Sequence, residues 1–125
     1  SSMTPTIVTK DGKLKAVVGT PGGATIITSV FQVLSNIIDF DMSAAQAVHA
    51  RKSHSQWQPD VVMLEKGTMS LANKRGLSAR GHRLYPYPHF KWQLGRVEAI
   101  LVGADGTLEG AADASRGFDD WASGF

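Results

Sequence analysis

The sequence predicts an α+β fold in which one long helix lies on a sheet. Two Asp-Gly pairs, Asp11-Gly12 and Asp105-Gly106, each sit between runs of β-type residues, which is a strong hairpin signal. Between them, Ala24 to Ile38 carries apolar side chains at 26, 27, 30, 31, 33, 34, 37 and 38, the spacing of a helix. A hydrophobic content of 42% over 125 residues is ordinary for a globular chain and amounts to one domain's worth, residues 1–125.

Taken in order, Thr6 to Lys10 and Lys13 to Val18 form the first hairpin, and Thr20-Pro21-Gly22-Gly23 turns the chain into the helix Ala24 to Ile38. No charged residue occurs from Ala16 to Ile38, a stretch long enough to span a membrane. Pro21, the glycine pair and the polar set Thr25, Thr28, Ser29, Gln32, Ser35 and Asn36 argue against that. The segment reads instead as a buried part of a soluble protein, its helix covered on both sides. Ser43 followed by Gln46 fits a capping box and starts a helix from Ala44 to Ala50. Val61 to Glu65 is a strand. Ser70 caps a third helix of about ten residues that Gly81 ends from the C′ position, with Arg80 in its last turn. Gly81 to Tyr85 returns as a strand, and Val97 to Val102 with Leu108 to Ala111 makes the second hairpin.

Composition narrows the function. Thirteen Lys plus Arg against eleven Asp plus Glu leave a net charge of +2, and no basic run exceeds a pair such as Arg51-Lys52. That is too diffuse for a nucleic-acid footprint. The lack of cysteine excludes disulfides, thiolate catalysis and cysteine zinc sites. His49, His54, His82 and His89 include no pair at the i, i+4 spacing of a helical zinc site, and neither Asp-Gly turn is followed by the spaced oxygens of a calcium loop. No metal or cofactor is implied. The first residues show neither the basic segment nor the apolar core of a signal peptide. The acidic residues fall at turns and helix junctions, so no catalytic carboxylate pair stands out. Tyr85 to Trp92 is the most aromatic stretch, and its prolines favour an extended loop that lines a cleft, meets a subunit or packs in the ordinary way.

The glycine pair is the most informative chemical feature. A strand that feeds adjacent glycines into a helix start gathers backbone N–H groups with no Cβ in the way. The first N–H groups of a helix lack intrahelical partners, so such a turn can hold an anion or a developing oxyanion. A turn that needs glycine only for its φ angles is the simpler alternative.

The order Ser1-Ser2-Met3-Thr4-Pro5, the Pro21-Gly22-Gly23 turn, Asn36 to Phe40, His54-Ser55-Gln56-Trp57-Gln58-Pro59-Asp60, Glu65-Lys66-Gly67 and Gly106 to Asp113 closely resembles the C-terminal part of the small subunit of gamma-glutamyltranspeptidases. The resemblance covers nearly the whole chain. It implies part of the four-layer αββα sandwich of N-terminal nucleophile hydrolases, and an activity that transfers or hydrolyses the gamma-glutamyl group of glutathione and related amides. Ser1 and Ser2 match the serine pair that binds the substrate α-carboxylate, and Gly22 and Gly23 match the oxyanion hole. Hydroxyl donors to a buried carboxylate are charge-assisted bonds worth about 1.5–3 kcal/mol each.

Nothing here matches the family's self-exposed N-terminal threonine nucleophile, its carboxylate-clamping arginine or the acidic residues that hold the substrate amine. Those lie upstream of the serine pair in the family. The resemblance therefore implies partners, namely the large subunit and the N-terminal part of the small subunit of the same precursor, and a periplasmic or secreted location. Three alternatives stand beside it: a glutaryl-cephalosporin-type acylase, an enzyme in which Ser1 is itself the N-terminal nucleophile, and a non-catalytic binding fragment. Thr4, Thr6 and Thr20 match no nucleophile position. His54 and Trp57 read as a packing and hydrogen-bonding corner.

Overall fold

The computed structural model describes residues 3–86, 94–113 and 121–123. Its main sheet is antiparallel, with β1 (Thr6–Lys10), β2 (Lys13–Gly19), β6 (Glu98–Val102) and β7 (Leu108–Ala112) side by side in that order. The strands between them in sequence, β3 (Ser53–His54), β4 (Val62–Leu64) and β5 (Leu84–Pro86), form a second, small sheet. There β3 pairs antiparallel with β4 and β4 parallel with β5. The helices are α1 (Ile26–Ile38), α2 (Ala44–His49) and α3 (Leu71–Ala79). The α+β reading holds, and β3 is the element the sequence did not announce.

Local chemistry explains most boundaries. Asp11 and Gly12 both have positive φ, 52° and 73°, which is the two-residue hairpin turn whose twist suits the flanking strands. In the second hairpin Gly106 takes φ 85° while the Asp105 carboxylate accepts from the Thr107 N–H at 3.0 Å. That bond holds the exposed Asp105 carboxyl below its ordinary range. Ser43 and Gln46 form a reciprocal capping box at α2, and the Glu109 carboxylate takes up a further orphan donor, the Ala44 N–H, at 2.9 Å. At the end of α3 the Gly81 N–H reaches Ser78 O and the His82 N–H reaches Leu77 O, the paired bonds by which a left-handed C′ glycine satisfies the last carbonyls.

The helix-facing side of the sheet is built from short side chains. Val18, Ala99 and Ala111 stand in register across β2, β6 and β7, and all are buried. Ala44, Ala47 and Val48 of α2 and Ile26, Val30 and Val33 of α1 close the core over them. Small residues on both surfaces let the helices approach closely, as dense interior packing requires. The opposite side of the sheet is also apolar. Ile7, Val17, Ile100 and Gly110 pair in one row across it, with Ile7 69% exposed. An alternating antiparallel strand would put polar residues there if that face met water.

Two expectations about the long helix change. It starts at Ile26, because Gly23–Thr25 is a separate 3-10 turn. Its outer side is also not covered among the described residues, since Ile27, Phe31 and Ile38 are exposed, with Phe40 beyond its end. The uncharged stripe therefore faces outward from the described residues.

Candidate functional site

β2 ends at Gly19 and the chain reaches α1 through Thr20-Pro21-Gly22-Gly23 and the single 3-10 turn. Gly22 has φ 150° and ψ 13°, and Gly23 has φ 59°, so both occupy backbone regions where an L side chain is strained. The Gly22 carbonyl folds back into the helix start, where it accepts from the Thr25 N–H at 3.2 Å and from the Thr25 hydroxyl at 2.9 Å. Among the described residues the N–H groups of Gly22 and Gly23 have no hydrogen-bond partner, and both glycines are exposed. Two adjacent open donors at the head of a 13-residue helix are an arrangement that can receive negative charge.

The reason for glycine differs at the two positions. A Cβ on Gly22 would lie 2.8 Å from Thr25 Oγ1 and 3.2 Å from Gly95 Cα, whereas one on Gly23 would meet nothing within 4 Å. Position 22 is restricted by space and conformation, position 23 by conformation alone.

Beneath the turn lies the segment Leu94-Gly95-Arg96, whose Leu94 and Gly95 are buried. The Arg96 N–H donates to Thr20 Oγ1 at 2.6 Å, the Thr20 hydroxyl donates to Pro21 O at 2.7 Å, and the Ser29 hydroxyl of α1 donates to Leu94 O at 2.8 Å. Thr20 and Ser29 are fully buried. On the other side the Thr20 N–H donates to Met3 O at 3.0 Å. Met3 and Thr4 both have positive φ, so the chain bends sharply at these two positions. The residue bonded to Thr20 is therefore the one that directly follows the serine pair.

Next to the turn, α1 anchors the small sheet. Gln32 Nε2 donates to Thr28 O and to Ser53 O, both at 2.7 Å, and Gln32 Oε1 accepts from the Ser53 N–H at 2.9 Å. The buried His54 ring lies 2.7 Å from the Thr28 hydroxyl through Nδ1 and 2.9 Å from Gln56 Oε1 through Nε2. Because Gln56 Nε2 donates to Gln58 O, its oxygen faces the ring and accepts from the Nε2–H. The expected hydrogen-bonding corner exists at His54, but Trp57 does not pack into it: the indole is 81% exposed.

Of the residues singled out in the sequence, Gly22 and Gly23 stand together at the helix start. Ser1, Ser2, His89 and the loop from Tyr87 to Trp92 lie outside the described residues. Sequence reasoning missed Thr20, Ser29 and Gly95. Ser29 is 65 positions or more from the Leu94–Arg96 segment it touches, and a buried hydroxyl on a helix looks like any polar helical residue. An uncharged polar side to α1 was the one available signal.

The gamma-glutamyltranspeptidase family profile matches residues 1–120. The glutathione hydrolase proenzyme of Escherichia coli strain K12 is 43% identical over 125 residues, all of this chain and 20% of that protein. The acylase ACY 1 proenzyme of Pseudomonas sp. strain SE83 is 34% identical over 112 residues, 90% of this chain and 19% of that protein. A crystal structure of a mutant Helicobacter pylori gamma-glutamyltranspeptidase superposes with a TM-score of 0.82 at 41% identity, covering 90% of this chain and 60% of that one. The chain thus spans about a fifth of the length of the curated relatives it matches, and its α+β fold is part of the αββα N-terminal nucleophile hydrolase sandwich. On sequence and fold together, the chain belongs to the gamma-glutamyltranspeptidase family.

Proposed function

We propose that this chain is the C-terminal part of the small subunit of an enzyme that transfers or hydrolyses the gamma-glutamyl group of glutathione and related amides. The Gly22 and Gly23 N–H groups stabilise the oxyanion, and the Ser1 and Ser2 hydroxyls donate to the substrate α-carboxylate. The observation that carries the reading is the pair of open N–H groups at the head of α1, linked through Thr20 and Met3 to the segment that follows Ser1-Ser2. The tie from Thr20 to Met3, the residue that follows the serine pair in sequence, supports assigning both halves of the recognition chemistry to this chain.

In this reading the nucleophile is a threonine at a self-generated N-terminus outside the chain. Its hydroxyl oxygen bonds to the γ-carbonyl carbon, its own α-amine takes the proton, and the carbonyl π electrons move onto the oxygen facing Gly22 and Gly23. Collapse of that intermediate breaks the C–N bond, the amine leaves with the proton, and water or an acceptor amine later resolves the acyl-enzyme. The partners are the large subunit and the N-terminal part of the small subunit of the same precursor. The apolar outer row Ile7, Val17, Ile100 of the main sheet supports this, because sheet-on-sheet packing is what such a face suits. Family resemblance puts the enzyme in the periplasm or outside the cell.

The acylase relative supports a second reading, a glutaryl amide as substrate. Turnover of gamma-glutamyl anilide and of glutaryl anilide by the complete, processed protein separates the two. The glutaryl group keeps the carboxylate assigned to Ser1 and Ser2 and lacks only the α-amino group, whose binding residues lie outside this chain. Preference for the gamma-glutamyl compound is expected because the glutathione hydrolase of Escherichia coli, at 43% identity, is more similar to this chain than the acylase, at 34%. Preference for glutaryl anilide favours the acylase, and turnover of neither leaves a binding role.

A further inference from the structure

The role of the glycine turn depends on where its N–H groups point, and the turn's own hydrogen bonds, both from Thr25 to Gly22 O, hold only one of its carbonyls. Gly23 has no neighbour within 4 Å of its missing Cβ, and both glycines are exposed. What fixes it lies one layer below. We infer that Thr20 is the positioning residue of this turn, acting with Ser29 and Gly95 as a buried clasp.

The argument rests on three contacts made by one residue. The Thr20 hydroxyl accepts from the Arg96 N–H at 2.6 Å while donating to Pro21 O at 2.7 Å, so it holds the carbonyl of the residue just before Gly22 against a separate stretch of chain. The Thr20 N–H, donating to Met3 O at 3.0 Å, holds the segment behind the serine pair. The stretch on which the hydroxyl pulls is itself fixed to α1, since Ser29 donates to Leu94 O at 2.8 Å.

Close fit locks the three together. Gly95 has φ 74°, and a Cβ there would sit 2.7 Å from Ser29 Oγ and 2.9 Å from Thr20 Oγ1. Gly22 lies on the same glycine from above. Thr20 and Ser29 are fully buried, which limits the competition of solvent for their hydroxyl bonds and favours one arrangement of each. Thr20 is thus the point where the oxyanion turn, the backbone at Met3 and the segment tied to the helix meet, and it does so without facing the substrate.

The inference rests on the oxyanion reading of Gly22 and Gly23. Its test uses the complete, processed protein with gamma-glutamyl anilide. Thr20→Val keeps the shape and the N–H bond to Met3 but loses both hydroxyl bonds, so kcat should fall by about 10- to 100-fold, the usual cost of misplacing a catalytic group by about an ångström. KM should change less than threefold, because the serine segment keeps its tie. Thr20→Ser restores the hydroxyl and should recover most of kcat.

Near-normal kcat in Thr20→Val, or a loss in Thr20→Ser as large as in Thr20→Val, overturns the clasp. A fall in kcat matched by an equal rise in KM assigns Thr20 to general stability and also overturns it. Gly22→Ala, measured in parallel, keeps the two ideas apart. If it lowers kcat while Thr20→Val does not, the clasp fails and the oxyanion reading stands. If Gly22→Ala leaves kcat intact, the oxyanion reading fails and the clasp with it. Should Thr20→Val not process, the clasp is tested in Ser29→Ala, which removes the bond to Leu94 and is predicted to give the same kcat-selective loss; an unchanged kcat there overturns it.

Discussion

Lys52 Nζ lies 3.2 Å from the Asp113 carboxylate with both side chains out of solvent. The same ammonium donates to Val48 O at 2.8 Å. Lys52 leads into the small sheet through β3, and Asp113 follows β7 of the main sheet, so the ion pair joins the two sheets. The backbone at Lys52 is held as well, its N–H donating to the Glu65 carboxylate at 2.8 Å.

A buried charge that loses its counter-charge is costly. Asp113→Leu should destabilise the complete protein by about 3–5 kcal/mol, because the Lys52 ammonium remains buried opposite it. Replacing both partners, Lys52→Met with Asp113→Leu, should recover a large part of that loss. Urea denaturation of the variants is the check, and an additive double variant would show that the pair is not coupled.

The serine pair predicts a different kinetic signature from the glycine turn. Ser1→Ala or Ser2→Ala should raise KM more than it lowers kcat, since the substrate α-carboxylate is bound in ground and transition states alike. Steady-state kinetics with gamma-glutamyl anilide measures this. A loss confined to kcat would give these hydroxyls another task.

The 125 residues alone should be inactive and should self-associate. They carry no nucleophile by family resemblance, and they leave Ile27, Phe31 and Ile38 on the helix and Ile7 and Ile100 on the sheet exposed, apolar surface of the kind that mediates association. Light scattering and hydrophobic-dye binding test the second claim. A monomer that melts cooperatively without binding dye would contradict it.

Much of this fold could be read from sequence because its elements are bounded by local chemistry. The Asp11-Gly12 hairpin, the Ser43 and Gln46 capping box and the Gly81 helix end each depend on residues within a few positions of one another, and all three formed as expected. The short strand β3 was hidden because Ser53 and His54 are held by Gln32, 21 positions away, and not by any β-type pattern. The candidate site divides in the same way. Gly22 and Gly23 declare themselves as a glycine pair between a strand and a helix. Thr20, Ser29 and Gly95 matter only through contacts between distant parts of the chain, which no spacing rule records. Helix periodicity likewise marked α1 as a helix, yet the expected cover on both sides is not met among the described residues, where Ile27, Phe31 and Ile38 are exposed.

The central claim is that the Gly22 and Gly23 N–H groups meet charge that develops in the transition state. The most direct measurement compares kcat and KM of Gly22→Ala and Gly23→Ala in the complete protein, after folding and self-processing are verified. A Cβ at position 22 must displace Thr25 or Gly95, while one at position 23 finds open space. Gly22→Ala should therefore lower kcat by about 10²–10³-fold, the range for losing one oxyanion donor, with a much smaller change in KM. Gly23→Ala, which strains only φ, should fall between that and the unmodified protein. Near-normal kcat in a folded, processed Gly22→Ala variant would contradict the account and leave the glycine pair as a turn with no part in the chemistry.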